Sequence, residues 1–346
     1  MRVQQLIVAA LIFSTACGEH VLDDISVLQE IRVDDARDPW SGLLHPINID
    51  VDSAGNVFFA DFGDKTVKSF DAVGRPIHVI GRAGRGPGEF QMVQDLAILS
   101  GEVIVLDPKL QRLVRMTPDG QFIGSVINDG MEEALSALGP RRIVLANSPK
   151  WSLPSKNGAA WPLIRIAERD GRTVAEIGER EPTENPFVAH IKYFVLPAGT
   201  PDGKWIWIAY LNDPKIELYS METETFRSIP RDLPFEWRRI PEDYTPPAAA
   251  ARPGGRPEPP FDPISLGIAT DRSGRAYILT ALESSAGNEG YPEQVAVDVV
   301  SPADTVITRY RVPEVATHIA VAPDGGLLYL LDAHSATVHV YRLPVE

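Results

Sequence analysis

The chain has a single cysteine, Cys17, in 346 residues. No disulfide can form within it, so stability has to come from packing. It has no apolar run long enough to cross a bilayer as a helix. The longest, Leu6 to Phe13, falls well short of the ~20 residues required. It is short of positive charge, with 33 Lys and Arg against 47 Asp and Glu and a formal net charge of -14. A nucleic-acid backbone needs clustered Lys and Arg, so that class of partner is excluded. Sustained 3.6-residue periodicity is almost missing, which excludes a helical bundle. Familiar catalytic signatures are missing too. No Gly-x-Ser-x-Gly elbow occurs, and no His-x-x-x-His or Glu-x-x-His pairing.

What is present begins with an export signal. Arg2 is followed by the apolar run and then by Ser14-Thr15-Ala16, small residues suited to a cleavage site. Residues 1–16 therefore read as a signal peptide and 17–24 as a tether, placing the mature chain in the bacterial periplasm or at the cell surface. Cys17 stands directly after the cleavage site. Two readings remain: an ordinary secretory signal with an incidental cysteine, or a lipoprotein signal whose cysteine carries the lipid. The placement favours the second, since an exported chain otherwise avoids an unpaired thiol. Ser14 departs from the Leu usual in lipoprotein signals.

The rest, residues 25–346, reads as short strands in groups of four. Proline (30) and glycine (27) are plentiful, as tight turns require. A turn follows the first strand of each group: Asp52-Ser-Ala-Gly55, Leu99-Ser-Gly101, Leu138-Gly139-Pro140, Thr200-Pro-Asp202-Gly203, Asp271-Arg-Ser-Gly274 and Ala322-Pro-Asp324-Gly325. A strand rich in β-branched and aromatic residues comes next, such as Val103-Ile-Val-Leu106 or Trp205-Ile-Trp-Ile208. Six such units at ~40–50 residues each predict an all-β, six-bladed β-propeller of four-stranded antiparallel blades. The sixth group is one strand short. Ile25 to Val33 is strand-like and is predicted to complete it, closing the ring. Two insertions interrupt the pattern, Asn147 to Trp161 and the proline-rich Pro230 to Asp262. The second cannot join a sheet and reads as a linker, a surface insertion or a flap.

The connector Gly81-Arg-Ala-Gly84-Arg-Gly86-Pro-Gly88-Glu-Phe90 superficially suggests a phosphate cradle. It leads into a strand instead of a helix N-terminus, so that reading is rejected. Arg82 and Arg85 on it read as a solvated pair. With the flanking strand ending in Asp61 and the Phe70-Asp71-Ala-Val-Gly74 turn, it resembles NHL repeats. The exported whole resembles bacterial six-bladed β-propeller lipoproteins built from them. The likeness is strongest in the first two blades and degenerate in the third and fourth, where Gly178 to Phe187 keeps only the spacing.

Such a fold implies a central channel lined by the first strand of each blade. Counting back from the turns puts Asn48, Asp95, Gly267 and His318 at equivalent positions, with His45 near the same mouth. A ring of Asn, Asp and His suits a small ligand, an ion or a water cluster. The expected function is a non-catalytic ligand- or protein-binding or scaffolding module at the cell envelope. Its partner would be an envelope protein or small ligand, with membrane attachment through Cys17 and no cofactor. The resemblance also implies a rival. Lactonase-type propellers hold calcium in the channel, and amidating lyases built on NHL repeats use channel histidines on zinc. Of the histidines, His45, His190 and His318 are the candidates to converge. His78 falls on an outer strand, His334 precedes a third strand and His339 lies within it. Trp205 and Trp207 read as packing between blades.

Overall fold

Strands such as Val57-Phe-Phe-Ala60 are apolar at successive positions, not alternate ones. A strand of that kind has to be buried on both faces. The computed structural model shows how this is met. It describes residues 22–24, 27–32, 42–128, 132–147, 162–180, 185–245, 259–286, 292–303 and 307–343. The signal segment, Cys17, most of the 147–161 insertion and residues 246–258 lie outside the described residues.

Six antiparallel sheets form the body. Blade 1 comprises Pro46–Val51, Val57–Asp61, Thr66–Phe70 and Pro76–Ile80. Blade 2 comprises Asp95–Leu99, Glu102–Asp107, Arg112–Met116 and Phe122–Ile127. Blade 3 comprises Glu132–Leu138, Arg142–Asn147, Pro162–Glu168 and Thr173–Glu179. Blade 4 comprises Val195–Gly199, Trp205–Tyr210, Asp213–Ser220 and Thr225–Ile229. Blade 5 comprises Ser265–Thr270, Ala276–Ala281, Val295–Val300 and Ile307–Val312. Blade 6 has His318–Val321, Leu327–Asp332 and Thr337–Arg342 from the C-terminal end. Its fourth strand is Val27–Arg32, antiparallel to Thr337–Arg342 with Ile31 opposite Val338. The ring closes between the two ends of the chain, as the missing strand required. Each first strand lies against the next, from blade 1 round to blade 6 and back.

Every blade-to-blade interface has its own apolar cluster. In the second strand of blade 1, Val57 and Phe59 face blade 6, while Phe58 and Ala60 face blade 2. In blade 4, Ile206 and Ile208 face blade 3 and Trp207 faces blade 5. The period-2 alternation is thus a choice between two interfaces, so the middles of these strands are mostly apolar, and the buried Thr280 of blade 5 is hydrogen-bonded to Asp298. Trp207 also donates its indole N–H to the Gly274 carbonyl at 2.9 Å.

The Gly81–Phe90 connector crosses from blade 1 to blade 2. Phe90 is fully buried between them. Gly81 has φ +76, and a Cβ there would meet the Phe90 ring at 2.1 Å, so only glycine lets the ring lie down. Glu89 accepts from the Arg85 and Gly86 amides at 3.0 and 2.8 Å and pairs with Arg82 at 2.7 Å, so Arg82 is tied to its own loop.

Three findings depart from the sequence pattern. Leu22–Asp24 adds a fifth strand to blade 5, parallel to Ile307–Val312, with Leu22 beside Arg309. Gly178 keeps a positive φ of 74, but Phe187 does not pack between blades. It lies on a short helix, Pro186–Lys192, started by Asn185, whose side chain accepts from the Phe187 and Val188 amides. The described flanks of the proline-rich insertion are also no free linker. Ile240 and Phe261 pack on Val188 and Ile191 of that helix. Arg231 is buried, donating to Ser265, Thr280 and the Pro214 carbonyl. Arg238 forks onto Asp262 at 2.8 and 3.1 Å.

Phe90→Ala is expected to lower stability by about 3–5 kcal/mol, measured by denaturant unfolding. A chain starting at residue 34 is expected to melt at lower temperature, with faster amide exchange at Val338 and Val340, because the ring is opened.

Candidate ligand site in the central channel

The first strands enclose a cavity of about 510 Å³. Its lining starts at Asn48, Asp95, Gly267 and His318, the four positions counted from the turns, and ends at turn residues such as Ser53, Gly101, Pro201 and Pro323. The strand registers fill in the two blades whose members could not be counted. Asn48 pairs with Ala60, Asp95 with Leu106 and His318 with Leu331. Ala134 opposite Ala146 and Leu196 opposite Ala209 are the matching members of blades 3 and 4. The ring is therefore polar over blades 6, 1 and 2 and apolar or small over blades 3, 4 and 5.

The polar arc is connected. Asn48 donates its amide to Asp95 Oδ1 and holds the Ile49 amide at 2.5 Å with its own oxygen. Asp95 Oδ1 also accepts from the Leu96 amide at 2.7 Å, and Oδ2 accepts from the Leu135 amide of blade 3 at 2.6 Å. Asp50 lies two residues beyond Asn48 and lines the same cavity. Its carboxylate accepts from the Ile98 amide of blade 2 at 2.7 Å and from Val51 at 2.8 Å. Blade 3 repeats the device with a hydroxyl, Ser136 Oγ accepting from the Gly199 amide of blade 4 at 3.1 Å. Thr270 of blade 5 donates to the Gly199 carbonyl at 2.8 Å. These side chains satisfy main-chain groups that the sheets leave unpaired.

Burial governs the charges. It pushes the Asp95 carboxyl up to about 8, against the pull of the Leu135 and Leu96 amides and with help from Asp50. It pushes Asp50 up to about 6 in the same way. His318 is pushed down to about 4 by burial and by His45 nearby. Its tautomer follows from its neighbour. The Thr317 hydroxyl donates to the Leu331 carbonyl at 2.9 Å and accepts from the Ala333 amide at 3.0 Å. At 2.9 Å from it, His318 Nδ1 then has to be the donor, which leaves Nε2 as an acceptor. Neither aspartate has an ion-pair partner among the described residues.

Of the predicted residues, Asn48, Asp95 and His318 come together in the cavity. His45 does not line it; it is exposed, with its ring 5.8 Å from Phe62. His190 does not line it either. It sits on the short helix, 3.8 Å from Glu133 and against Phe194. Asp50 was missed. The signal for it was the strand period: two residues from Asn48, it shares that residue's face. A calcium or zinc site would need converging donors, and no three His, Cys, Asp or Glu side chains are so placed among the described residues.

Fold and cavity together define a class: a six-bladed propeller with a half-polar central cavity. No protein-family model matches the chain, and no curated protein matches it. Solved structures do. A Bacteroides fragilis protein described as exported aligns over 94% of this chain and 99% of its own, at 8% identity and a TM-score of 0.55. Hydrazine synthase from Kuenenia stuttgartiensis aligns over 95% and 99%, at 13% identity and a TM-score of 0.51. At such identities the likeness shows the fold alone.

The raised Asp95 value fixes a pH effect. Between about pH 6.5 and 8 the folded chain keeps a proton on Asp95 that the unfolded chain has released. Stability therefore falls as pH rises there, by about 1.4 kcal/mol per unit for one proton. His318 opposes this slope at the lower end of the window, because near its ordinary 6.5 the unfolded state still binds a proton that the folded state, at about 4, does not. Urea unfolding at several pH values is expected to show the slope in the wild type and its loss in Asp95→Asn.

Proposed function

We propose that this chain is a non-catalytic binding propeller of the bacterial cell envelope, built from NHL-like repeats. It is exported by residues 1–16 and held to a membrane through lipid on Cys17. Its channel takes a small molecule rich in hydrogen-bond donors, best an organic ammonium compound. The observation that carries this is the polar arc of the cavity. Asp50, His318 Nε2 and, once ionised, Asp95 are acceptors, and no cation among the described residues answers the two aspartates. A ligand ammonium group would supply the missing charge, and its arrival would ionise Asp95. The apolar arc of Ala134 and Leu196 would hold the ligand's carbon skeleton.

The turn after the first strand of blade 5 lies beside the turn before its last strand, since a Cβ on Gly274 would stand 3.2 Å from Pro302. Leu22–Asp24 runs parallel to Ile307–Val312 with Leu22 beside Arg309, so Leu22 is the end of that strand nearer the same turn. Cys17 is five residues from Leu22, at most about 18 Å of chain. Lipid at Cys17 would thus hold the cavity's turn-lined end toward the membrane.

The test is thermal unfolding of the mature chain with a panel of small amines, sugars, calcium and zinc. An amine is expected to raise the Tm of the wild type but not of Asp95→Ala or His318→Ala. Stoichiometric calcium or zinc, lost in both variants, would overturn the reading in favour of a metal-dependent hydrolase or lyase. For the anchor, Cys17→Ser is expected to abolish fatty-acid labelling in cells. Label that persists in that variant refutes lipid attachment there.

A further inference from the structure

A second recess lies away from the channel, where blade 2 meets the turns of blade 3. It encloses about 390 Å³ and is lined only by charged side chains: Arg115, Arg141, Arg169 and Arg172, with Glu168 and Asp170. In a chain of net charge -14, four guanidinium groups around one recess need an explanation.

Local pairing accounts for half of them. Glu102 lies beneath and takes a fork from Arg115 at 2.7 and 2.8 Å, then a further contact from Arg169 at 3.2 Å. Glu168 is shared between Arg142 at 3.6 Å and Arg172 at 3.8 Å, both too long for hydrogen bonds. Asp170 accepts from the Arg172 main-chain amide at 3.0 Å, not from its guanidinium. Arg141 has no side-chain partner among the described residues. Its main-chain carbonyl accepts from the Arg169 amide at 3.1 Å, which ties the two turns of blade 3 together. Arg141, with no side-chain partner among the described residues, and Arg172, with only the long ion pair to Glu168, thus stand at one recess beside two arginines already fixed by Glu102. The recess is lined by four positive and two negative side chains, and that excess of positive charge favours an anion.

We propose that this recess binds a phosphate-type oxyanion, held in bidentate fashion by Arg141 and Arg172. Planar guanidinium forks match the oxygens of such a group, and charge-assisted pairs of this kind are the strong ones. Arg115 and Arg169 add positive potential without having to leave Glu102. The recess is formed by the turns after the first and third strands of blade 3, on the same face as the turn-lined end of the channel. The oxyanion could therefore belong to a free phosphoryl compound or to an anionic lipid headgroup, and the chemistry of the contact is the same.

Both sources can be tested on the mature chain lacking lipid. Inorganic phosphate is titrated while the amide signals of residues 141–142 and 169–172 are followed by NMR, and vesicles of phosphatidylglycerol or phosphatidylcholine are offered in sedimentation. The expected result is saturable phosphate binding with Kd below about 1 mM, weakened at least about tenfold in the Arg141→Gln/Arg172→Gln double variant. Sedimentation with phosphatidylglycerol alone, lost in the double variant, would identify the lipid source. Phosphate binding without it would identify a free phosphoryl compound. Both side chains reach solvent, so the fold should survive, and an unchanged Tm confirms it. Arg75→Gln, a change at an exposed ion pair on blade 1, serves as the control. A phosphate response that does not saturate, or that the double variant shares with the wild type, overturns the proposal.

Discussion

Everything in this molecule depends on closing a ring of six sheets whose neighbours touch on both faces. A twisted blade cannot stand alone, because each of its faces is apolar and only the next blade can cover it. Blade 6 has no covalent continuity to rely on, since its strands come from both ends of the chain. It forms when Val27–Arg32 pairs with Thr337–Arg342, joining the two ends of the chain. The two ends are then held by main-chain hydrogen bonds, and Thr337–Arg342 is covered on both sides. Without a disulfide, this is the device that keeps the ring shut.

The same demand explains the channel. First strands offer unpaired main-chain groups to the neighbouring blade, and small polar side chains satisfy them: Asp50 on Ile98, Asp95 on Leu135, Ser136 on Gly199, Thr270 on Gly199. These side chains are therefore structural clasps and cavity lining at once. Where the clasp is a carboxylate, it brings charge into a poorly solvated space, and burial answers by raising its pKa. Blades 1 and 2 use aspartate and blades 3 and 5 use hydroxyls, so the carboxylates lie on one side of the cavity only. The asymmetry that makes the channel a candidate site follows from which clasp each blade carries.

Much of this was legible in the residues. Gly81 and Phe90 mark a crossing between blades because a ring can lie down only where a Cβ is missing. The Asp-x-x-Gly turns set the register, and the register brought Asn48, Asp95 and His318 together. Where glycine punctuation was weak, the reading stopped. Ala134 and Leu196 stand the same distance before their turns as Asn48 and His318 do, but as small and apolar residues in degenerate repeats they carried no chemical signal to mark them. Phe187 copied the spacing of Phe90, yet Asn185 and Pro186 start a helix there, and local capping outweighed the repeat. Asp50 escaped notice because an aspartate inside an apolar strand looks like an exposed alternate residue until the strand is known to line a channel.

The sequence by itself determined the class of fold, the number of blades, the need for a closing strand and the positions that share a level in the channel. All of these are consequences of local periodicity and turn chemistry, which act over a few residues. Only the tertiary structure decided which charges matter. Whether an aspartate is solvated or desolvated, whether a histidine presents an acceptor, and whether four arginines far apart in the chain crowd one recess are properties of what lies across space. Electrostatic energy depends on distance and dielectric, and neither is written in the order of residues.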